Sequence, residues 1–366
     1  MPARAFTRRF GLRLPLVQAP MSGGVTTPDL IAAVCEAGAL GSLGAGYMSG
    51  RAIEAACASV RQATQRPFAV NLFVPDARHL GAASASVEAA SAALDPYRKE
   101  VGLLPPPARP TYRHRWDEQL EAVLKVRPAV LSFCFGLPKE EDLDALRAAD
   151  IYLIGTATTV AEARLLEDAG VDCVVAQGFE AGGPRATFSV PFDQGMIGLL
   201  ALLPQMVDAV DLPILAAGGL MTGQAIAAVL ALGAAGAQMG TAFTACSESG
   251  FGEVQRRALM AAHDDGTALT QAYTGKPARG LRNRFMVEAF EAGLPIAPYP
   301  AQWGITSDLR RAAAEQDRPD LMAIWAGQGV GELRRCDAAT LVAELGAELQ
   351  QAMTAMGRLS GRWHSS

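Results

Sequence analysis

The residues best placed to do chemistry lie between 213 and 241. A short apolar strand, Ile214 to Ala217, runs into Gly218 and Gly219; an apolar helix follows from about Thr222 to Leu232, and a second strand ends at Gly240-Thr241. Glycine at the C-terminal end of a strand lets a ligand come close to the backbone. Free N–H groups there, and at the next helix N-terminus, suit a phosphate. In an eight-stranded β/α barrel the loops after strands 7 and 8 are a frequent phosphate site. One glycine pair is explained as well by a tight turn; two successive strands ending this way favour the phosphate. No G-x-G-x-x-G follows a first strand with an acidic residue downstream, so a terminal monophosphate fits better than a dinucleotide.

Such a cradle needs strands and helices to hold it, and the chain supplies a regular series. Eight short apolar or β-branched runs end in Gly, Asn, Thr or Pro and lead into helical periodicity: Leu16 to Ala19, Leu40 to Leu43, Phe68 to Leu72, Ala129 to Phe135, Ile151 to Gly155, Cys173 to Gln177, Ile214 to Ala217 and Ala235 to Gly240. Thr27-Pro28 followed by Asp29 to Ala37 and Gly38 is a fully punctuated helix. Strands that are apolar throughout point to a parallel sheet buried on both faces. The fold class expected is α/β, a (β/α)8 TIM barrel with a smaller second, lid domain made from insertions; an open doubly wound sheet reads the same way from sequence and stays as the alternative.

Two segments fall outside the repeat. Residues 75–115 carry an Ala/Ser-rich helical piece, Ala82 to Leu94, and a proline-rich run from Leu104; residues 270–330 are rich in Gly, Pro and aromatics and hold Trp303 and Trp325. Long loops in a compact domain are usually functional, so both are lid candidates. The division expected is 1–74 (barrel strands 1 to 3), 75–115 (insertion), 116–269 (strands 4 to 8), 270–330 (lid or substrate domain) and 331–366 (a C-terminal helix on the barrel).

Composition narrows the partners. Half of the 366 residues are hydrophobic, 19% are charged and the net charge is −5, with no long basic run. That suits a well-buried core and gives no electrostatic footprint for nucleic acid. The six cysteines form no C-x-x-C pair and no ligand spacing with histidine, so they read as reduced core residues and no metal is expected. The apolar stretch after Arg4, Arg8 and Arg9 is broken by Arg13 and Pro15, and no run of about 18 apolar residues exists. The expectation is a cytoplasmic protein with no membrane partner; a homo-oligomer is left open.

Taken together, Gln18-Ala-Pro-Met-Ser-Gly-Gly, Asn71-Leu-Phe, Ser132-Phe-Cys-Phe-Gly-Leu-Pro, Gly155-Thr-Ala-Thr-Thr, Ala176-Gln-Gly-Phe-Glu-Ala-Gly-Gly, Ala216-Ala-Gly-Gly and Gln238-Met-Gly-Thr resemble the nitronate monooxygenases of the bacterial class I type. The resemblance implies FMN held at the C-terminal mouth of the barrel, with a nitronate or related anion and O2 as small-molecule partners. Carried over by position, Gly218, Gly219, Gly240 and Thr241 would bind the FMN phosphate. Asn71, Gln177 and Gly182 would contact the rest of the cofactor, and Gly183, Gln238 and Met239 of the same motifs count among its contacts. Ala19, Pro20 and Met21 would lie under the ring, Met21 as a polarizable contact. Asn71 and Gln177 are amides at strand ends, able to donate to and accept from a ring edge, or to brace a loop.

One position breaks the pattern. The family motif after strand 6 continues Glu-Ala-Gly-Gly-His, the His acting as the base that removes the α-proton of a neutral nitroalkane. Here Pro184 follows Gly183, and proline has no nitrogen to accept a proton, so the catalytic residue is unknown. His79 and His114 fall in the insertion, His263 near a helix end and His364 in the tail. Glu180 is expected to brace its loop, and Arg185 to be solvated at the surface unless it draws an anionic substrate. FMN-dependent oxidation of alkyl nitronates is therefore the first reading. An FMN-dependent NAD(P)H reductase of the enoyl-thioester type, or a flavin-binding protein without catalysis, are the alternatives.

Overall fold

The computed structural model describes residues 2–75, 84–104 and 115–363. Its strands are, in chain order, β1 (Leu16–Gln18), β2 (Ser42–Gly44), β3 (Ala69–Phe73), β4 (Val130–Cys134), β5 (Tyr152–Ala157), β6 (Cys173–Gln177), β7 (Gly183–Pro184), β8 (Ile214–Ala217), β9 (Gly236–Met239), β10 (Thr267–Thr270) and β11 (Ala278–Leu281). Eight of them form one sheet in the order β1-β9-β8-β6-β5-β4-β3-β2, every pair parallel. The two ends of that order meet. Val17 bridges Leu40, the Gln18 amide donates to Leu40 O (2.9 Å), and the Ser42 amide donates to Gln18 Oε1 (3.1 Å). The sheet therefore closes into a (β/α)8 barrel, which removes the open-sheet alternative.

Val17, Ala69, Val130, Ile154, Val175 and Leu215 fill the barrel together with Phe6 and Phe10. Those two phenylalanines belong to the helix Pro2–Phe10, which closes the end at which the strands begin. Phe10 meets Tyr152 edge-on at 5.1 Å, and the Arg9 guanidinium lies 5.0 Å over the same ring. Outside the barrel, the helix Pro28–Glu36 is capped by Thr27, whose hydroxyl accepts from the Leu30 amide at 3.1 Å, and Leu30, Ile31 and Val34 are buried against the sheet. The terminal helix Ala338–Trp363 packs on Gly223–Ala231. A Cβ at Gly223 would fall 2.3 Å from the Leu349 nitrogen, so that contact requires glycine.

The two segments that broke the repeat meet one another. Arg98, in the helix Asp95–Glu100, is fully buried and donates to Asp308 (Nε, 2.9 Å), Ser91 O (Nη1, 2.7 Å), Asp95 (Nη1, 2.9 Å) and Ile305 O (Nη2, 2.7 Å). Glu100 accepts from both Arg284 and Arg318. Without the Arg98 guanidinium the buried carbonyls of Ser91 and Ile305 lose their donor and Asp308 its cation, so Arg98→Ala is expected to cost about 3 kcal/mol of stability. Denaturant titration measures it, and a loss below about 1 kcal/mol would mean that solvent already screens the pair. β10, β11 and β7 form a small antiparallel sheet that the sequence did not announce. Among the described residues, no helix is long and apolar enough to cross a membrane.

Candidate functional site

The C-terminal ends of the barrel strands surround a cavity of about 190 Å³. Its wall includes Ala19, Pro20 and Met21 after β1, Asn71 in β3, Gln177 at the end of β6, Gly182, Gly183 and Pro184 beyond it, Gly218 and Gly219 after β8, and Gln238, Met239, Gly240 and Thr241 at the end of β9. Every position named from sequence as a cofactor contact thus lies on one surface.

Glycine has different work at different places in that wall. Gly218 and Gly219 have φ of +131° and +67°, values that side chains rarely adopt. Gly182 admits the loop opposite, since a Cβ there would sit 2.6 Å from the Ala326 carbonyl carbon. At Gly240 a Cβ would meet nothing nearer than Ala19 Cβ at 3.5 Å, so its missing side chain leaves cavity space. The amides of Gly219, Gly240 and Thr241 make no hydrogen bond to a backbone carbonyl among the described residues. Thr241 Oγ1 accepts from the Gly327 amide at 2.9 Å, tying the 325–329 loop to the end of β9 and leaving the hydroxyl proton available.

Asn71 is buried and donates to Ser132 Oγ at 2.9 Å. Gln177 braces its loop while lining the cavity: Oε1 accepts from Arg185 Nη1 (3.0 Å) and the Ala186 amide (2.8 Å), and Nε2 points to Pro184 O at 3.4 Å. Glu180 is a brace as expected, its carboxylate accepting from the Leu199 amide at 2.9 Å. Arg185 corrects the sequence reading. It is 1% exposed, not solvated, because the backbone carbonyls of Gln177, Gly178 and Gly195 converge on it.

The sequence reading missed the aromatic side of the wall, formed by Tyr47, Phe73, Phe135 and Trp325 beside Cys134. Phe73 and Phe135 pack at 4.7 Å, and Tyr47 stacks on Trp303 at 4.4 Å. Phe73 and Phe135 stand in the strand-end motifs Asn71-Leu-Phe and Ser132-Phe-Cys-Phe, which was the available signal. Phe135 has φ +76°, uncommon for a bulky residue and a form of strain that tends to collect at working sites. Burial pushes the Cys134 thiol up to about 12, so it stays protonated at neutral pH.

No described residue of the cavity wall is a His, Asp, Glu, Lys or Arg. His79, His114 and His364 lie outside the described residues; His263 is exposed, beyond the helix Glu253–Met260, and off the cavity. Among the described residues, no three His, Cys, Asp or Glu side chains group as metal ligands would. Position 184 sits in β7, paired with Ala278 of β11.

Known proteins agree with this architecture. The family model described as nitronate monooxygenase matches residues 6–348. A probable nitronate monooxygenase of Staphylococcus aureus (strain Newman) is 39% identical over 348 residues, spanning 95% of this chain and 97% of its own. Among solved structures, nitroalkane oxidase from Streptomyces ansochromogenes superposes with a TM-score of 0.89 at 43% identity, covering 96% of this chain and 99% of that one. FabK from Thermotoga maritima follows at 0.77 and 25%, covering 98% of each. With the matching model spanning residues 6–348, the chain belongs to the nitronate monooxygenase family and is an oxidoreductase.

Proposed function

We propose that the protein oxidises alkyl nitronates with O2 in the cytoplasm, using FMN, and that it takes its substrate as the preformed anion. The observation that carries this reading is the wall of the cavity: a proline at position 184 and no His, Asp, Glu, Lys or Arg among the described lining residues. FMN suits the residues present. The unengaged amides of Gly219, Gly240 and Thr241 offer donors for a monophosphate, and the missing side chain of Gly240 leaves it room. Gln177 and Asn71 would meet the ring's polar edge, and Ala19 to Met21 its apolar face. Bound FMN would supply the electron acceptor and the reaction with O2, chemistry that side chains do not perform.

The chain's own residues then position and exclude. The aromatic wall keeps water from the reacting atoms, and segments 75–115 and 270–330 serve as the lid and substrate domain of the barrel formed by 1–74 and 116–269, with 331–366 as the C-terminal helix on the barrel. A nitronate already carries the charge that a base would have to generate, so Pro184 does not stop it. The purified protein should be yellow, release FMN rather than FAD on denaturation, and lose its flavin colour when a nitronate is added without air. Chelators should leave turnover unchanged; a stoichiometric metal lost together with activity would contradict the assignment. An NAD(P)H-dependent reductase of the enoyl-thioester type, which would use the same barrel and flavin site, is the second reading. Rapid mixing with NADPH in the absence of nitronate separates the two, since only a reductase would then lose its flavin colour.

A further inference from the structure

Arg185 stands behind this wall, bonded to Gln177 of the lining. Its guanidinium is buried, and the acceptors it finds are all neutral: the Gln177 side-chain carbonyl (3.0 Å) and the backbone carbonyls of Gly178 (2.6 Å), Gln177 (3.1 Å) and Gly195 (2.7 Å). Its Nε has no acceptor among the described residues. The carboxylates that act on it through space are engaged elsewhere, Glu162 on Thr158, Phe188 and Ser189, and Glu180 on Leu199. Burial lowers its pKa to about 10, which still leaves it charged at neutral pH. A buried charge with no carboxylate in contact with it is expensive to keep, and a neutral donor could hold the same loop.

Its place in the site supplies a use. A guanidinium can only donate, and the Ala186 amide donates to the same oxygen, so both lone pairs of Gln177 Oε1 are taken and it has none left for a ligand. What remains at the β6 end of the wall is Nε2, engaged only at 3.4 Å with Pro184 O. The cavity therefore meets an amide donor with a cation behind it, in a medium of low dielectric where both act strongly.

We propose that Arg185 is a positioning residue that, through Gln177, keeps the β6 end of the cavity an obligate hydrogen-bond donor at positive potential and thereby raises the reduction potential of the flavin held there. This rests on the FMN reading above. Taking up two electrons and one proton leaves a flavin one unit more negative than before, and that added charge is what such a wall stabilises.

The test is the midpoint potential of FMN-loaded protein, read against reference dyes at pH 7, for wild type, Arg185→Met, Arg185→Lys and Gln177→Glu. Gln177→Glu guards against a folding failure at 185, because its carboxylate accepts the same bonds from Arg185 and Ala186 while neutralising the cation and removing the donor. Arg185→Met and Gln177→Glu should each lower the equilibrium constant for reduction about tenfold or more, equivalent to about 30 mV for a two-electron couple. Arg185→Lys should fall between. Full FMN occupancy with an unmoved potential in Gln177→Glu overturns this inference alone. Failure of wild type to take up FMN overturns the cofactor reading and this inference with it.

Discussion

Gly240→Leu should fold as the wild type does and purify without flavin. Gly240 has φ −104° and ψ −68°, outside the left-handed region, and a Cβ there would make ordinary contacts with Ala19 Cβ (3.5 Å) and Met21 Sδ (3.8 Å), both on the cavity wall. The fold therefore tolerates a side chain whose remaining carbons enter the space beside the free amides of Gly240 and Thr241. Blocking two hydrogen bonds to a charged phosphate, each worth about 1.5–3 kcal/mol, should weaken FMN binding by roughly a hundredfold or more. The choice of glycine decides what the experiment can mean. Gly219 is held at φ +67° and a Cβ at Gly182 would strike the Ala326 backbone, so substitutions there damage the loop itself. Circular dichroism and a thermal melt establish the fold, and absorbance after denaturation counts the flavin. A folded, fully yellow Gly240→Leu protein would remove the phosphate cradle.

The same contrast between glycines shows what sequence could reveal. Strand ends were legible because a run of apolar residues stopped at a residue of a different physical kind: Gly218 after Ala217, Gln177 after Ala176, Gly240 after Met239. That signal is local. The helix Pro2–Phe10 gave none, because three arginines surround Phe6 and Phe10 and the pair has nowhere to be buried until the barrel closes beneath it. Arg185 was misread for a related reason. Its type suggests solvent, and the carbonyls of Gly178 and Gly195 that replace water lie 7 and 10 residues away, brought together only by the turns after β6. β10 and β11 are four-residue strands, and the other partner of β11, β7, is two residues long and lies far back in the chain. Tyr47 joined the wall through its stack on Trp303, a contact across most of the sequence.

The second large effect is expected at Pro184. Wild type should oxidise a preformed nitronate far faster than the neutral nitroalkane, by the factor of about 10²–10⁴ that a positioned base typically contributes. The neutral compound must then wait for its α-proton to leave in water, so its rate should rise with pH without a bell, following ionisation in solution. No described group in the wall can change this: Cys134 titrates only at about 12, and the other polar residues there are amides and hydroxyls. Pro184→His restores an imidazole on the cavity wall. The backbone permits the exchange in part, because the carbonyl of residue 184 that Gln177 approaches is present in either residue. The new N–H, however, needs an acceptor that proline never required, and release from proline's fixed φ frees the loop, so recovery should fall short of the full factor. Even so, a gain specific to the neutral nitroalkane, with the nitronate rate nearly unmoved, is the signature of a base and not of a better-fitting loop. Equal wild-type rates for the two substrates, with a bell-shaped pH profile, would place the base elsewhere. The segments holding His79 and His114 would then be the first to substitute, because no described residue of the wall offers an alternative.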